Sequence, residues 1–249
     1  MSGHSKWSTI KRKKGVADAR RGKIFTKLIR EIATAARIGG GEAGSNSRLR
    51  LAMERARLAN MPKENIQRAI KTGTGANAAQ VYDEVSYEGY GPGGTALYVE
   101  VLTDNKNRTV GEVRHVLAKY GGNLGASGCV AYLFEKKGSL SFDRQGLEAD
   151  RVLEAALEAG ADDVTESENS IDVITSVANF EKTKRTLESA GFIPARAGIL
   201  MEPSSTVALE GSEAESMLRL ADALEDLDDV QNVYANFDIS EEEMSRIAG

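Results

Sequence analysis

The sequence predicts an α+β protein with an N-terminal three-helix domain and two α/β-sandwich domains, one of them ferredoxin-like (βαββαβ) and inserted into the other. Three observations predict this class. Apolar residues recur with a helical period up to about residue 70, and the period then changes to the alternation of strands. From residue 137 the elements follow the order of a split βαβ unit. With 249 residues and 41% hydrophobic content, the chain can bury such cores.

The N-terminal region predicts three helices. Residues 24–37 carry one apolar stripe at helical spacing, which a run of three glycines ends. Asn46 or Ser47 is suited to cap a second helix, because a short polar side chain there can accept a bond from a free backbone N–H. Pro62 suits the first turn of a third helix.

The middle region predicts strands. Residues 81–87 and 95–102 alternate as two strands, joined by a glycine-rich loop. A helix begins at Asn107 or Thr109, and a further strand is expected over residues 129–134. The tail after residue 204 is too short to form a core alone, so we expect its strands to complete one sheet with this region.

The stretch from residue 137 to residue 203 is predicted to form a unit of its own. Its predicted elements are strand 139–142, helix 148–159, strands 163–166 and 171–175, helix 180–190 and strand 193–201. The tail offers strand 206–209, an acidic helix over 212–227 and strand 230–239. The predicted domains are therefore residues 1–76, residues 77–135 together with 204–249, and residues 136–203.

The charge of the chain is segregated. Residues 1–71 hold 18 Lys/Arg against 5 Asp/Glu, whereas the rest holds 14 against 32, although the whole chain has a net charge of only −5. Such asymmetry points to a polyanionic partner. The acidic remainder would repel phosphate, so we expect the N-terminal region to make the contact.

A basic arm at the start of the chain is the strongest functional signal. Clustered cations neutralise phosphates and release counterions, which gives salt-sensitive and mostly sequence-blind binding. Two roles are open for the single tryptophan in the arm, stacking on a base or anchoring the arm to its own helices. The predicted nucleic-acid-binding residues are Lys6, Trp7, Lys11, Arg12, Lys13, Lys14, Arg20, Arg21, Lys23 and Lys27.

The sequence offers little for catalysis, and we expect no enzyme, no catalytic residues, no metal and no cofactor. His4 and His115 are the only histidines and Cys129 is the only cysteine, too few for a zinc site. The glycine-rich loop at 89–94 leads into a strand and not a helix, so it does not fit a phosphate loop. The acidic residues of the tail fit a solvated helix face better than a Mg²⁺ site.

Two loops of the middle region are open to either a functional or a purely structural role, since loops often carry function. Their residues are Tyr90, Gly91, Pro92, Asn105, Asn107 and Arg108. The lone cysteine favours a reducing compartment, and no apolar run approaches the roughly 18 residues of a membrane span. We therefore expect a cytoplasmic monomer with no membrane partner.

Six motifs together resemble the YebC family, which includes the mitochondrial translational activator of cytochrome c oxidase. They follow in order along essentially the whole chain. They are GHSKWSTIK at 3–11, RGKIFTKLIREI at 21–32, NMPK at 60–63 with NI at 65–66, YEGYGPGG at 87–94, TDNKNRT at 103–109 and GGNLG at 121–125. The resemblance implies a helical domain, a middle α/β domain and an inserted ferredoxin-like domain.

The resemblance also implies nucleic-acid-linked functions, and three hypotheses compete. The first is a DNA-binding transcriptional regulator, although no clear helix-turn-helix with base-reading side chains is evident. The second is a ribosome- or RNA-associated translation factor that relieves stalling at stretches such as proline runs. It needs only phosphate contacts, stacking and shape recognition. The third, an enzyme or ligand sensor built on the ferredoxin-like unit, rests on a fold that hosts many functions.

Overall fold

The computed structural model describes residues 18–75, 81–167 and 170–248. These residues form two compact units, one made of Phe134–Ser204 and the other made of the chain before and after it. The units combine helices with β-sheets, which confirms the predicted α+β class. The division into three domains with the boundaries given above stays a prediction.

Three helices open the described chain, as the apolar stripes predict. They are α1 (Asp18–Gly39), α2 (Ser47–Leu58) and α3 (Lys63–Thr74). More than half of their shared core is alanine, so the helix backbones can approach each other closely. The buried cluster consists of Ile32, Ala35, Ala36, Leu49, Ala52, Ala56, Met61, Ile66 and Ala69.

Of the two residues predicted as the cap of α2, Asn46 and Ser47, the structure shows Asn46 in that role. Its Oδ1 accepts a hydrogen bond from the N–H of Leu49 at 3.0 Å, which satisfies a free donor at the start of α2. Its Nδ2 donates to the carbonyls of Ala35 and Gly40, both at 2.8 Å. One buried amide therefore caps α2 and ties it to the end of α1.

A Schellman motif sets the corner between α2 and α3. The N–H of Met61 donates to the carbonyl of Ala56 at 2.9 Å, and the N–H of Asn60 donates to that of Arg57 at 2.9 Å. Asn60 has the left-handed φ of 59° that this motif requires, which asparagine tolerates better than most residues. Met61 is buried in the helical cluster. The NMPK motif therefore has a structural role, since it ends α2 and fixes the start of α3.

Fifteen further helices and strands follow in the described chain. They are β1 (Asp83–Tyr90), β2 (Ala96–Thr103), α4 (Lys106–Lys119), β3 (Asn123–Leu124), β4 (Phe134–Asp143), α5 (Ala149–Ala159), β5 (Asp163–Glu166), β6 (Ser170–Ser176), α6 (Phe180–Ser189), β7 (Arg196–Pro203), β8 (Val207–Ala208), α7 (Gly211–Glu225), β9 (Val230–Ala235), β10 (Phe237–Asp238) and α8 (Glu241–Ala248).

The middle region contains a four-stranded antiparallel sheet in the order β3-β1-β2-β9. Leu97, Val99 and Val101 alternate along β2 and point to the same face, because successive strand residues point to opposite sides. They join a buried core with residues of α4 and α7. The tail therefore completes the sheet through β9, as the length argument predicts.

The unit formed by Phe134–Ser204 is a four-stranded antiparallel sheet in the order β5-β6-β4-β7, with α5 and α6 between the strands in the chain. This is the predicted β-α-β-β-α-β arrangement. Leu140 and Val173 are register partners on β4 and β6, and both are buried. Val152 of α5 and Leu187 of α6 are also fully buried, as the apolar stripes of these helices require.

Two predictions for the middle region were wrong. Residues 129–133 do not form a strand, because the backbone bends around the buried carboxylate of Glu88 and a short 3₁₀ turn forms at Ala131–Leu133, and Phe134 is already the first residue of β4. The tail strands do not all join one sheet either, since β8 and β10 pair in parallel on their own. Asn236 explains the departure from β9, because its Oδ1 accepts from the N–H of Ala96 while its carbonyl accepts from Val207.

Candidate nucleic-acid interface

The basic arm lies largely outside the described residues. Lys6, Trp7, Lys11, Arg12, Lys13 and Lys14 all belong to residues 1–17, so their predicted role stays a prediction. Arg20 and Arg21 lie on α1. The structure describes the helical backbone of these two residues but not their side chains. The described cations of the helical region can be sorted by the contacts that they make.

Lys23 and Lys27 contact the C-terminal end of α7. The Nζ of Lys23 donates to the carbonyl of Asp226 at 3.0 Å and lies 3.8 Å from its carboxylate. The Nζ of Lys27 donates to the carbonyl of Glu225. Burial lowers the pKa of Lys27 more than the neighbouring carboxylates raise it. Both lysines were predicted to bind nucleic acid, yet both bind the negative end of a helix within the protein.

Arg30 and Arg108 converge on one buried carboxylate, that of Asp229. Arg30 pairs with Asp229 and also donates to the carbonyl of Asp228 at 2.7 Å. Arg108 donates to the carboxylate of Asp229 at 2.6 Å, and the hydroxyl of Thr103 donates to it at 2.9 Å. The arrangement links α1, the end of β2 and the start of α4.

The pKa of Asp229 reflects these contacts. Burial alone would raise it, because a buried charge loses its hydration. Hydrogen bonds from Thr109, Arg108, Thr103 and Arg30 outweigh that effect and lower the pKa to about 2. The carboxylate therefore stays ionised, and its role is to hold donors in place.

The loop that contains Asn105, Asn107 and Arg108 leads into α4 and forms its first turn. The Oδ1 of Asn105 accepts from the N–H of Arg108 at 3.1 Å, so Asn105 is a helix cap. Arg108 also pairs with Asp104 at 2.8 Å, and Asn107 is exposed on the first turn. The structure thus gives Asn105 and Arg108 stabilising contacts, while a functional role for this loop stays a prediction.

The loop that contains Tyr90, Gly91 and Pro92 is hydrogen-bonded to the residues that follow β3. The hydroxyl of Tyr90 donates to the carbonyl of Cys129 at 3.2 Å, and the N–H of Gly91 donates to that of Thr95 at 2.8 Å. Pro92 begins a single 3₁₀ turn. These bonds make a compact connection between β1 and β2, and any functional role of the loop likewise stays a prediction.

Glu88 is a buried carboxylate that sequence reasoning missed. It accepts from three backbone N–H groups, those of Gly128 at 2.7 Å and of Val130 and Ala131 at 2.8 Å each. Burial would raise its pKa, but the three hydrogen bonds lower it below the usual value. Glu88 therefore fixes the bend that replaces the expected strand.

The cations of α3 differ from those of α1 in their contacts. Arg37 on α1 donates to the carbonyl of Tyr82 at 2.7 Å, and Arg48 on α2 bonds Glu31 and Glu84. By contrast, Lys63, Arg68 and Lys71 are exposed on α3 and have no ion pair with any other described residue. Among the described cations of α1, α2 and α3, those that are exposed and make no described ion pair therefore lie mainly on α3.

The described part of the chain has neither a metal-binding cluster nor a helix that could span a membrane. Residues 18–75, 81–167 and 170–248 contain no group of three or more His, Cys, Asp or Glu side chains placed to hold a metal ion. Over the same ranges, every helix is too short or too polar to cross a bilayer.

Comparison with known proteins covers nearly the whole chain. Residues 5–76 match the family model described as "TACO1/YebC protein N-terminal domain", and residues 82–237 match "TACO1/YebC second and third domain". A crystal structure of a conserved hypothetical protein from Aquifex aeolicus is similar, with a TM-score of 0.85 and 49% identity. The match covers 90% of this chain and 93% of that one.

Curated relatives of the same length carry a functional name. Proteins from Syntrophus aciditrophicus and Geotalea uraniireducens, each called "Probable transcriptional regulatory protein", are 57% and 58% identical to this chain. The matches span 249 and 247 residues, which is 100% of each relative and at least 99% of this chain.

Proposed function

The chain belongs to the TACO1/YebC family, and from this membership we propose that it is a cytoplasmic regulator of gene expression that binds nucleic acid through its basic N-terminal region. The names of its curated relatives support the regulatory role. The segregation of charge supports the nucleic-acid partner and is the single observation that carries it, since residues 1–71 hold 18 cations against 5 acids.

The binding mode that this charge favours is contact with the phosphate backbone. Lysine and arginine neutralise phosphates without reading base edges, so affinity arises from counterion release and falls steeply with salt. The acidic remainder of the chain repels phosphate and so limits contact to the basic region. DNA is the target that the relatives' names suggest, and the same chemistry would serve RNA.

We also propose that the protein acts by binding and not by catalysis. Two buried carboxylates with a lowered pKa are engaged in structural contacts, Asp229 with Arg30, Arg108 and two threonines and Glu88 with three backbone N–H groups. Perturbed carboxylates that hold structure in this way are not available as general acids or bases.

Equilibrium binding of the full chain tests the proposal. Fluorescence anisotropy with a short duplex DNA and with a single-stranded RNA, at salt from about 50 to 200 mM, should show log affinity falling linearly with log salt. Absence of binding to both probes at the lowest salt would overturn the proposal. If the protein binds, crosslinking in cells, followed by sequencing of the attached nucleic acid, distinguishes DNA from ribosomal RNA as the target.

A further inference from the structure

The geometry points to the exposed face of α3 as a phosphate-binding surface, distinct in sequence from the basic arm. This inference rests on the proposed function and deepens it, because it names described residues that meet the nucleic acid. The surface consists of Lys63, Gln67, Arg68 and Lys71 on α3, with Arg57 at the end of α2.

The opposite face of α3 is anchored against α1. Ile66 and Ala69 are buried in the helical cluster. Gly73 is buried as well, and a Cβ added to it would lie 2.2 Å from the carbonyl oxygen of Ala33 on α1. Such close approach is possible only for glycine, so the two helix backbones touch there. The anchoring directs the remaining face of α3 outward.

The outward face is basic and regular. Lys63, Gln67 and Lys71 are exposed and follow each other at four-residue spacing, which places them in one row along the helix. Arg68 lies beside the row and is exposed too. From Lys63 to Lys71 the row is about 12 Å long. That length spans about three nucleotides at the rise of one strand.

The start of α3 is held in a defined position. The Schellman motif at Asn60 and Met61 fixes the corner, and Pro62 sets the backbone immediately before the helix. Arg57 is exposed in the last turn of α2 and has no ion pair with another described residue. The corner therefore fixes the backbone between Arg57 and the start of α3, which adds one cation next to α3 in the sequence.

A merely solvated helix face is the alternative explanation, and two observations favour the phosphate surface over it. Solvated faces usually mix both signs of charge, whereas this face has Glu64 as its one acid. In addition, Lys23, Lys27, Arg30, Arg37 and Arg48 on α1 and α2 all bond within the protein. The cations of α3 make no such bond to any residue that the structure describes, which leaves their charge available to a partner.

Two charge variants test the inference in the full chain. The first combines Lys63→Ala, Arg68→Ala and Lys71→Ala, which suit a helix because alanine has the highest helix propensity. The matched control combines Arg114→Ala, Lys119→Ala and Arg151→Ala, three exposed cations on α4 and α5 with no ion pair to another described residue. Both variants lose the same net charge, and thermal unfolding monitored by circular dichroism checks that both remain folded.

The readout is the slope of log affinity against log salt. For the α3 variant we expect the slope to become shallower by about 0.9 per lost contact on duplex DNA and about 0.7 on single strands. For the control we expect the wild-type slope. Glu64→Gln, which removes the one acid of the face, should tighten binding.

The outcomes separate the two proposals. An α3 variant that keeps the wild-type slope, or a control that loses as much as the α3 variant, would overturn the α3 surface and leave the proposed function intact. A wild-type protein that binds neither probe would instead overturn the proposed function itself.

Discussion

The guanidinium group of Arg30 on α1 and the carboxylate of Asp229 before β9 form a buried ion pair between residues 199 positions apart. The Asp229 side chain is 2% exposed and that of Arg30 is 14% exposed. Asp229 also accepts from Arg108, Thr103 and Thr109. The pair therefore joins α1 to the start of β9 in the sheet β3-β1-β2-β9. The Asp229 carboxylate stabilises this junction because it accepts hydrogen bonds from several donors.

Replacement of Asp229 by asparagine should destabilise the protein strongly. The change leaves two guanidinium groups beside a neutral amide, and breaking a buried pair in this way costs about 3–5 kcal/mol in the free energy of unfolding. Urea unfolding of the full chain measures the cost. Asp228→Asn is the matched control, because its side chain is exposed and should change the free energy by about 0.5 kcal/mol or less. Equal effects of the two substitutions would contradict the account of the junction.

The contribution of Asp229 should depend on pH in a defined direction. Its pKa is about 2 in the folded protein against an ordinary value of 3.8, so the ionised form is stabilised by folding. The stabilisation is complete above the ordinary pKa and disappears as the pH falls toward the folded value. The difference in unfolding free energy between wild type and Asp229→Asn should thus shrink by about 2 kcal/mol between neutral pH and pH 2. A difference that stays constant with pH would refute this.

Glu88→Gln should loosen the bend after β3. Glutamine offers one acceptor oxygen where the carboxylate serves three backbone N–H groups, and loss of charged hydrogen bonds costs about 2 kcal/mol. Hydrogen exchange at Gly128, Val130 and Ala131 should accelerate relative to wild type. Glu84→Gln on the same strand removes an exposed ion pair with Arg48 and should leave those amides protected. Unchanged exchange in Glu88→Gln would show that the bend has another cause.

Two glycine-to-alanine substitutions in helices should have opposite effects. Gly73→Ala places a Cβ against the Ala33 carbonyl at 2.2 Å and should destabilise the protein by about 1–3 kcal/mol, because α3 must move away from α1. Gly111→Ala on α4 meets nothing within 4 Å and should stabilise the protein by up to about 1 kcal/mol. Thermal unfolding compares the two, and a neutral or stabilising Gly73→Ala would argue against close contact of α1 and α3.

Much of the fold could be predicted from local sequence patterns. Apolar periodicity predicted the helices, and the short polar residues Asn46 and Ser47 indicated a cap. The β-α-β-β-α-β order could be predicted because each of its elements has its own hydrophobic pattern. The errors arose where hydrogen bonds between residues far apart in the sequence decide the backbone conformation. Residues 129–133 have strand-like composition, but hydrogen bonds to the carboxylate of Glu88 bend their backbone, and the bonds of Asn236 to Ala96 and Val207 direct the chain away from β9. Neither effect has a local signature.

The positive charge of the N-terminal region could be predicted from the sequence, but the contacts of its individual cations could not. Charge counting located the positive region correctly, because net charge does not depend on pairing. It could not show that Lys23 and Lys27 bind the end of α7, or that Lys63, Arg68 and Lys71 are exposed and have no described ion-pair partner. Such sorting depends on contacts between residues about 200 positions apart. An acid directly before an apolar strand, as at Asp229, was the one sequence signal of the junction.

The central claim is that the cationic N-terminal region binds the phosphate backbone, and the salt dependence of one variant tests it most directly. The variant removes four adjacent cations of the arm in the full chain. It combines Lys11→Ala, Arg12→Ala, Lys13→Ala and Lys14→Ala. The account predicts weaker binding to duplex DNA and RNA, with a slope shallower by about 0.9 per lost contact on duplex DNA. Affinity and slope equal to those of the wild type would contradict it.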